Sequence, residues 1–300
     1  MQRSDKAVNL RLFRVPVLPP FRFPAAVDKY AVIGNPVAHS KSPQIHTAFA
    51  RATGQSLGYE RLLAPRDGFT ATVAAFAASG GQGLNVTVPF KLDAYALAVA
   101  RSARAQLSGA VNTLKRVGEG WHGDNTDGPG IVRDLEHNLG LVLAARDILV
   151  LGAGGASRGI MSSLLAEGPR SVTVSNRTFA KATAIAELFA PHGPITAVPP
   201  DSLSGYRFDL VINATSAGLA DLSPPPWPPA IVATGAFAYD LIYADTPTIF
   251  RRWAQANGST RTADGLGMLI EQAAESFYLW RGVRPDTAPL FALLRPSGRD

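Results

Sequence analysis

The chain contains no cysteine. That excludes disulfides, thiolate metal sites and a cysteine nucleophile, and it fits a reducing compartment. No uninterrupted apolar run approaches the ~18 residues a membrane-crossing helix needs, so no membrane span is expected. Charged residues are also scarce, at 17% against 46% hydrophobic, a balance that excludes a wholly disordered chain. Acidic residues are the scarcer sign: 23 stand against 29 basic ones, giving a net +6 and a sequence pI near 9.8. A length of 300 residues suits one large domain or two ordinary ones.

The positive excess invites a nucleic-acid reading. Its position weakens that reading. Residues 1–26 hold Arg3, Lys6, Arg11, Arg14 and Arg22 against Asp5 alone, a net +4. The other 24 basic and 22 acidic residues leave a nearly neutral body, and it carries no nucleic-acid recognition motif. With Pro16, Pro19, Pro20 and Pro24 and no regular period, residues 1–26 read as an extension outside the fold, a disordered tail or the result of an upstream start codon. They lack the apolar stretch of a signal peptide and the serine content of a transit peptide, so the expected location is the cytoplasm.

From Tyr30 the pattern becomes regular. Tyr30-Ala-Val-Ile-Gly34 reads as a buried strand. Ser42-Pro43 opens a helix, with Ser42 as N-cap, Ile45, Phe49 and Ala52 on one face, and Gly54 at its end. Tyr59–Leu63 and Gly83–Val88 read as strands, Phe69–Ala78 as a helix, and Pro89 as the start of a helix through Ala100. Val111–Lys115 and Trp121-His122 flank a Gly-containing turn, which signals a hairpin. A helix then runs from about Asp127 to Leu139. A second unit starts near Asp147, with strands at 148–151, 171–175, 209–213 and 236–241. Helices are expected through Ala166, over Phe179–Phe189, over Thr248–Asn257 and over Leu266–Trp280, with a turn-rich loop at 224–229. This alternation predicts an α/β fold with largely parallel sheets.

Gly152-Ala-Gly154-Gly155-Ala156-Ser157 follows a strand and opens a helix. Glycines permit the tight turn and the close approach of backbone to a pyrophosphate, and the helix N-terminus supplies free N–H groups. Ser157 stands where the third glycine of the usual pattern falls. The next strand ends in Asn176-Arg177-Thr178, with Lys181 one turn on. No carboxylate is present there to repel a 2′-phosphate, and Arg177 can pair with one, which favours NADP over NAD. Basic residues at a helix start oppose the dipole unless an anion joins them.

A dehydrogenase also needs a group that gives or takes a proton. His39-Ser40-Lys41-Ser42, Asn85-Val-Thr87-Val-Pro89-Phe-Lys91, Asn112-Thr113 and Asp124-Asn125-Thr126-Asp127 all fall at strand-to-helix junctions. Each has a bland reading alone: Ser42 a cap, Asn112 a turn residue, Lys91 a surface lysine, Asp127 a cap. Together they place four similar polar loops at one sheet edge, where parallel sheets bind ligands.

These segments resemble the successive signatures of shikimate dehydrogenases. So do Gly109-Ala-Val-Asn112-Thr-Leu, Asn213-Ala-Thr215-Ser-Ala-Gly218 and Gly265-Leu-Gly-Met268-Leu-Ile-Glu-Gln272-Ala-Ala. The match runs in order from about residue 29 to 285. The resemblance implies NADP-linked interconversion of shikimate and 3-dehydroshikimate, and two domains with a cleft between them. Residues 27–126 and 264–300 would form a parallel or mixed α/β substrate domain, and 127–263 a Rossmann-like doubly wound NADP domain. Ser40 and Ser42 would hold the substrate carboxylate. Thr87, Asn112, Gln272 and Tyr243 would contact the substrate, and Lys91 and Asp127 would be the catalytic pair. Gly152, Gly154, Gly155, Ala156, Asn176, Arg177, Thr178, Lys181 and Thr215 would hold the cofactor, with Gly265 and Met268 by the nicotinamide.

Lys91 suits acid–base work if burial lowers its pKa, and Asp127 would hold its ammonium; the proton is assigned to the pair rather than to either member. One departure is Asp245, where the family's Tyr-x-Pro-x-x-Thr has Pro; Tyr243 and Thr248 keep their spacing. His39 has no metal-spaced partner and reads as structural, so no metal site is expected. A quinate or quinate/shikimate dehydrogenase is the nearest rival. Ser42 and Arg177-Thr178 weigh against it. A non-catalytic metabolite sensor is a second rival, and the presence of both Lys91 and Asp127 weighs against that. The expected partners are small molecules, neither nucleic acid nor membrane, in a monomer or homodimer.

Overall fold

The computed structural model describes residues 27–215 and 227–295. The N-terminal extension, residues 216–218 of the 213–218 signature and the prolines at 224–226 lie outside the described residues.

Two six-stranded sheets carry the chain. The first contains β1 (Asp28–Gly34), β2 (Leu57–Leu63), β3 (Gly81–Val86), β4 (Ala100–Arg101), β5 (Thr113–Val117) and β6 (Gly120–Asp124), in the order β2-β1-β3-β5-β6-β4. β1 pairs in parallel with β2 and β3, whereas the β5–β6 hairpin joins β3 antiparallel, so this sheet is mixed. Between these strands lie α1 (Ser42–Ala52), α2 (Phe69–Ala78), α3 (Lys91–Leu97) and α4 (Ala103–Ser108).

The second sheet is wholly parallel: β7 (Asp147–Leu151), β8 (Ser171–Ser175), β9 (Ile195–Ala197), β10 (Phe208–Asn213), β11 (Val232–Asp240) and β12 (Arg261–Asp264). Its order, β12-β11-β10-β7-β8-β9, is that of a doubly wound nucleotide-binding sheet, reversing direction between β7 and β10. Ile148 and Val150 enter one core with Ile160, Leu164 and Ile185. Leu149 and Leu151 enter the opposite core with Val211, Phe250 and Ala254. A strand covered on both faces has no polar alternation, which is why this segment reads as an unbroken apolar run.

The remaining helices are α5 (Asp127–Arg133), α6 (Gly155–Ala166), α7 (Phe179–Phe189), α8 (Ile249–Ala256), α9 (Leu266–Arg281) and α10 (Ala288–Leu294). α9 returns to the first sheet. Its Ile270 and Phe277 pack with Ile45 and Phe49 of α1, and the Trp280 indole donates to the Leu114 carbonyl at 3.0 Å. A Cβ on Gly83 would stand 2.6 Å from that indole nitrogen, so only glycine lets α9 lie this close to β3. α5 packs on both α9 and α6 and so touches the layers of both sheets. Among the described residues no helix is long and apolar enough to cross a membrane.

Three expectations are corrected. The helix expected over 89–100 spans only Lys91–Leu97, because Ala98 turns extended and Val99 N–H bonds the Trp121 carbonyl at 3.0 Å, feeding edge strand β4. Ser42 is the first helical residue of α1, with Lys41 at the cap position, so its hydroxyl is not used for capping. The helix expected to reach Leu139 widens into a π-helical turn at Asp134–Asn138, where the Asp134 carboxylate accepts from Asn138 Nδ2 at 3.0 Å and from the Tyr239 hydroxyl at 2.7 Å.

Candidate active site

A cleft of about 900 Å³ lies where the segments following β1, β3, β7, β11 and β12 meet. Ser40, Ser42, Thr87, Lys91, Asn112, Asp127, Tyr243 and Gln272 all line it. So do Gly154, Gly155, Ala156, Lys181, Gly265 and Met268. Gly152, Asn176, Arg177, Thr178 and Thr215 do not. Gly152 shapes the turn instead: its φ is +108°, and a Cβ there would meet the Ala214 carbonyl oxygen at 2.8 Å. Asn176 closes the approach to α7 through a 2.9 Å bond to the Thr178 carbonyl, and Arg177 is exposed beside it. Thr215 donates its hydroxyl to Asn213 Oδ1 at 2.7 Å.

At the centre, Lys91 Nζ donates to Asp127 Oδ2. Asp127 Oδ1 accepts from Asn112 Nδ2 at 2.8 Å, and the same amide nitrogen lies 3.4 Å from Gln272 Oε1. The pair thus joins α3 and α5, helices that begin at the ends of different loops. On the other wall the Ser40 and Ser42 hydroxyls are 3.1 Å apart. Arg61 braces that loop, donating to the Ser40 carbonyl through Nε at 2.9 Å and Nη2 at 2.5 Å. Burial pushes the Tyr243 phenol up, against smaller opposing effects from Lys41 and Arg61. Asp245, the departure from the family pattern, sits at 3.3 Å from Lys41 Nζ, while Thr248 caps α8 and donates to Asp240 Oδ2 at 2.6 Å.

Sequence reasoning assigned no role to Arg158 and treated His39 as structural, yet both line the cleft. Arg158 stands in the first turn of α6, a cation at the positive end of a helix, the same mismatch that singled out Arg177. Its Nε donates to the Ser108 carbonyl at 2.9 Å.

Three family models match the chain in order. They are the shikimate dehydrogenase substrate binding domain over residues 32–114, shikimate/quinate 5-dehydrogenase over 135–222, and the shikimate 5′-dehydrogenase C-terminal domain over 265–290. The NADP(+) shikimate dehydrogenase of Alkalilimnicola ehrlichii is 56% identical over 270 residues, covering 90% of this chain and 99% of that one. This chain belongs to the shikimate dehydrogenase family. The corresponding protein of Thioalkalivibrio sulfidiphilus is 55% identical, again over 90% of this chain and 99% of that one. Among solved structures, the shikimate 5-dehydrogenase of Thermus thermophilus in complex with NADP(H) and shikimate superposes with a TM-score of 0.79 at 37% identity, covering 87% of this chain and 96% of that one.

The residues present fit the dinucleotide expected in this family. An added Cβ at Gly154 or Gly155 meets nothing within 4 Å, so the turn is an open cradle that a ligand backbone can approach. Lys181 and Arg158 supply positive charge along the same wall.

Two buried groups behind the site make stability depend on pH in opposite senses. His46 packs under the serine loop, its ring stacked on Tyr59 at 4.3 Å and Nε2 3.1 Å from Asn85 Oδ1. Burial pushes it down to about 3, the Asn85 bond opposing. Below pH ~6.5 the unfolded chain binds a proton there that the fold refuses, so stability falls with acid. Asp240 ends β11 and is pushed up to about 6 by burial, against its bonds from Thr248, Ile242 N–H and Asn213. The fold therefore takes up a proton at Asp240 before the unfolded chain does, and stability rises as pH drops from ~6 toward ~4. These two contributions should nearly cancel over that window. Asp240→Asn removes one of them, so its unfolding free energy should fall by roughly 1.4 kcal/mol per pH unit more than the wild type between pH 6 and 4. Denaturant titrations at stepped pH measure this, and equal slopes for the two proteins would defeat it.

Proposed function

We propose that this chain is an NADP-dependent shikimate dehydrogenase that interconverts shikimate and 3-dehydroshikimate. The observation that carries the reading is the Lys91–Asp127 pair, set in the same cleft as the glycine turn between β7 and α6. In oxidation the substrate alcohol carbon gives up a hydride and its hydroxyl a proton, leaving a ketone. NADP supplies the hydride acceptor. The proton passes to the Lys91–Asp127 pair, in which Asn112 holds Asp127 by its second carboxylate oxygen. Ser40 and Ser42 bind the substrate carboxylate, Thr87, Asn112 and Gln272 its ring hydroxyls or carboxylate, and Tyr243 contacts the substrate. Gly154, Gly155 and Ala156 receive the pyrophosphate, on the turn that Gly152 shapes. Asn176, Arg177, Thr178 and Lys181 receive the adenosine 2′-phosphate, and Thr215, Gly265 and Met268 complete the cofactor side.

In this reading residues 27–126 with 264–300 form the substrate domain and 127–263 the NADP domain. The mixed first sheet, the return of α9 to it and the parallel second sheet support that division. The absence of cysteine fits a reducing, cytoplasmic setting, and the near-neutral charge of residues 27–300 fits small-molecule partners rather than nucleic acid, for a chain that acts as a monomer or homodimer.

Initial rates with shikimate and quinate, each with NADP and NAD, test the reading. Shikimate with NADP should give the highest kcat/KM, exceeding quinate by about 10- to 100-fold, the scale at which a pocket discriminates against one added hydroxyl. A preference for quinate with NAD would overturn it.

A further inference from the structure

Behind the cleft runs an unbroken set of buried hydrogen bonds that no reacting group explains. Asn112 sits at its inner end. The Thr126 backbone N–H, which can only donate, reaches Asn112 Oδ1 at 2.8 Å, so the amide nitrogen must face Asp127. Thr113 Oγ1 adds a second donor to the same Oδ1 at 3.0 Å. A hydroxyl has one proton. Having given it to Asn112, Thr113 is left as an acceptor, and Asn85 Nδ2 donates to it at 3.2 Å. Asn85 Nδ2 also donates to Ser276 Oγ at 2.9 Å, and Ser276 lies 2.8 Å from Thr113 Oγ1. At the outer end the Tyr59 hydroxyl donates to Asn85 Oδ1 at 2.6 Å. Asn85, Asn112, Thr113 and Ser276 are each at most 5% exposed, so no water competes for these bonds.

We propose that Tyr59, Thr113 and Ser276, meeting at Asn85, are positioning residues that brace Asn112 in the orientation the Thr126 N–H sets and so hold Asp127 ready for Lys91. The column rests on the reading of Lys91 and Asp127 as the reacting pair. It runs from Tyr59 of β2 and His46 of α1 at one end to Asn112 at the proton-transfer end. The titratable groups facing it are His46 from α1, Tyr59 from β2, Asp127 from α5 and, through Asp127, Lys91 from α3. The Thr126 N–H sets which way Asn112 faces, and the Thr113 hydroxyl adds a donor that holds the amide in place. An apolar replacement of equal shape would fill the same space but take that donor away, leaving the amide and the Asp127 carboxylate it holds freer to shift.

Thr113→Val keeps the shape and removes the hydroxyl. Its kcat should fall about 10- to 100-fold with KM for shikimate nearly unchanged, the scale of a misplaced reacting group. The acidic limb of its kcat profile should move, and Thr113→Ser should restore both. Ser276→Ala, a smaller perturbation, should show the same signs with less amplitude and decides the matter if Thr113→Val does not fold. Wild-type kcat and pH profile in these variants, with only a lowered melting temperature, would make the column mere scaffold and overturn the proposal. The underlying reading fails separately: Asp127→Asn at full kcat would remove the reacting pair, whereas an inactive Asp127→Asn beside a fully active Thr113→Val removes only the column.

Discussion

Lys91→Ala is expected to lower kcat about 10³-fold while KM for shikimate changes by no more than a few-fold. The side chain projects from the first turn of α3 into the cleft, and its ammonium donates to Asp127. A positioned acid–base group acts on the proton in flight, an interaction made in the transition state, so its removal falls on kcat. Asp127→Asn should cost a comparable amount. It keeps the shape, but replaces the acceptor of the Lys91 proton by an amide that also has protons to place against Asn112 Nδ2. Because the two residues act as one unit, the double variant should be scarcely worse than the weaker single one. Steady-state kinetics with shikimate and NADP decide this. A Lys91→Ala loss that fell almost wholly in KM would make Lys91 a binding residue.

Much of this arrangement is legible in the chain itself because short-range physics writes it. β8, α2 and α7 occupy the expected residues, since each is bounded by a local signal and keeps one period throughout. The β7–glycine turn–α6 unit is legible for the same reason: strand, tight turn and helix start are consecutive. Elements of two to seven residues, β4, β9, β12, α4 and α10, carry too little period to be read, and they exist because neighbours pair with or pack on them. The positioning column is illegible for a different reason. Asn85 and Thr113 are brought together by the antiparallel pairing of β3 with β5, and Ser276 arrives only when α9 is laid across that sheet. No spacing along the chain encodes such a meeting. Arg158 is an intermediate case. A charge opposing a helix dipole is visible in sequence, but only the structure shows that it lines the cleft.

Two glycines of the cleft should separate stability from cofactor binding. At Gly265 a Cβ would stand 2.2 Å from the Leu241 carbonyl oxygen and 2.7 Å from its carbon, both backbone atoms that cannot swing aside. Its φ of −71° is ordinary, so the whole cost of Gly265→Ala is steric. Relief requires the start of α9 or the segment after β11 to move by about 1 Å. The first carries Met268 and Gln272 and the second leads to Tyr243, all lining the cleft. Gly265→Ala is therefore expected to destabilise the unliganded protein by about 1–3 kcal/mol and to lower kcat/KM about 100-fold, the penalty of a 1 Å displacement at a reacting site. Gly154→Ala should do the opposite. Its Cβ enters open space, so the melting temperature of the unliganded protein should hold. The same methyl would occupy the room a pyrophosphate needs beside the helix N-terminus, raising KM for NADP at least about tenfold. Thermal unfolding without ligand and cofactor titration of both variants test the contrast. A destabilised Gly154→Ala with unchanged KM would show the glycine turn to be packed for the fold alone and no cradle for the cofactor.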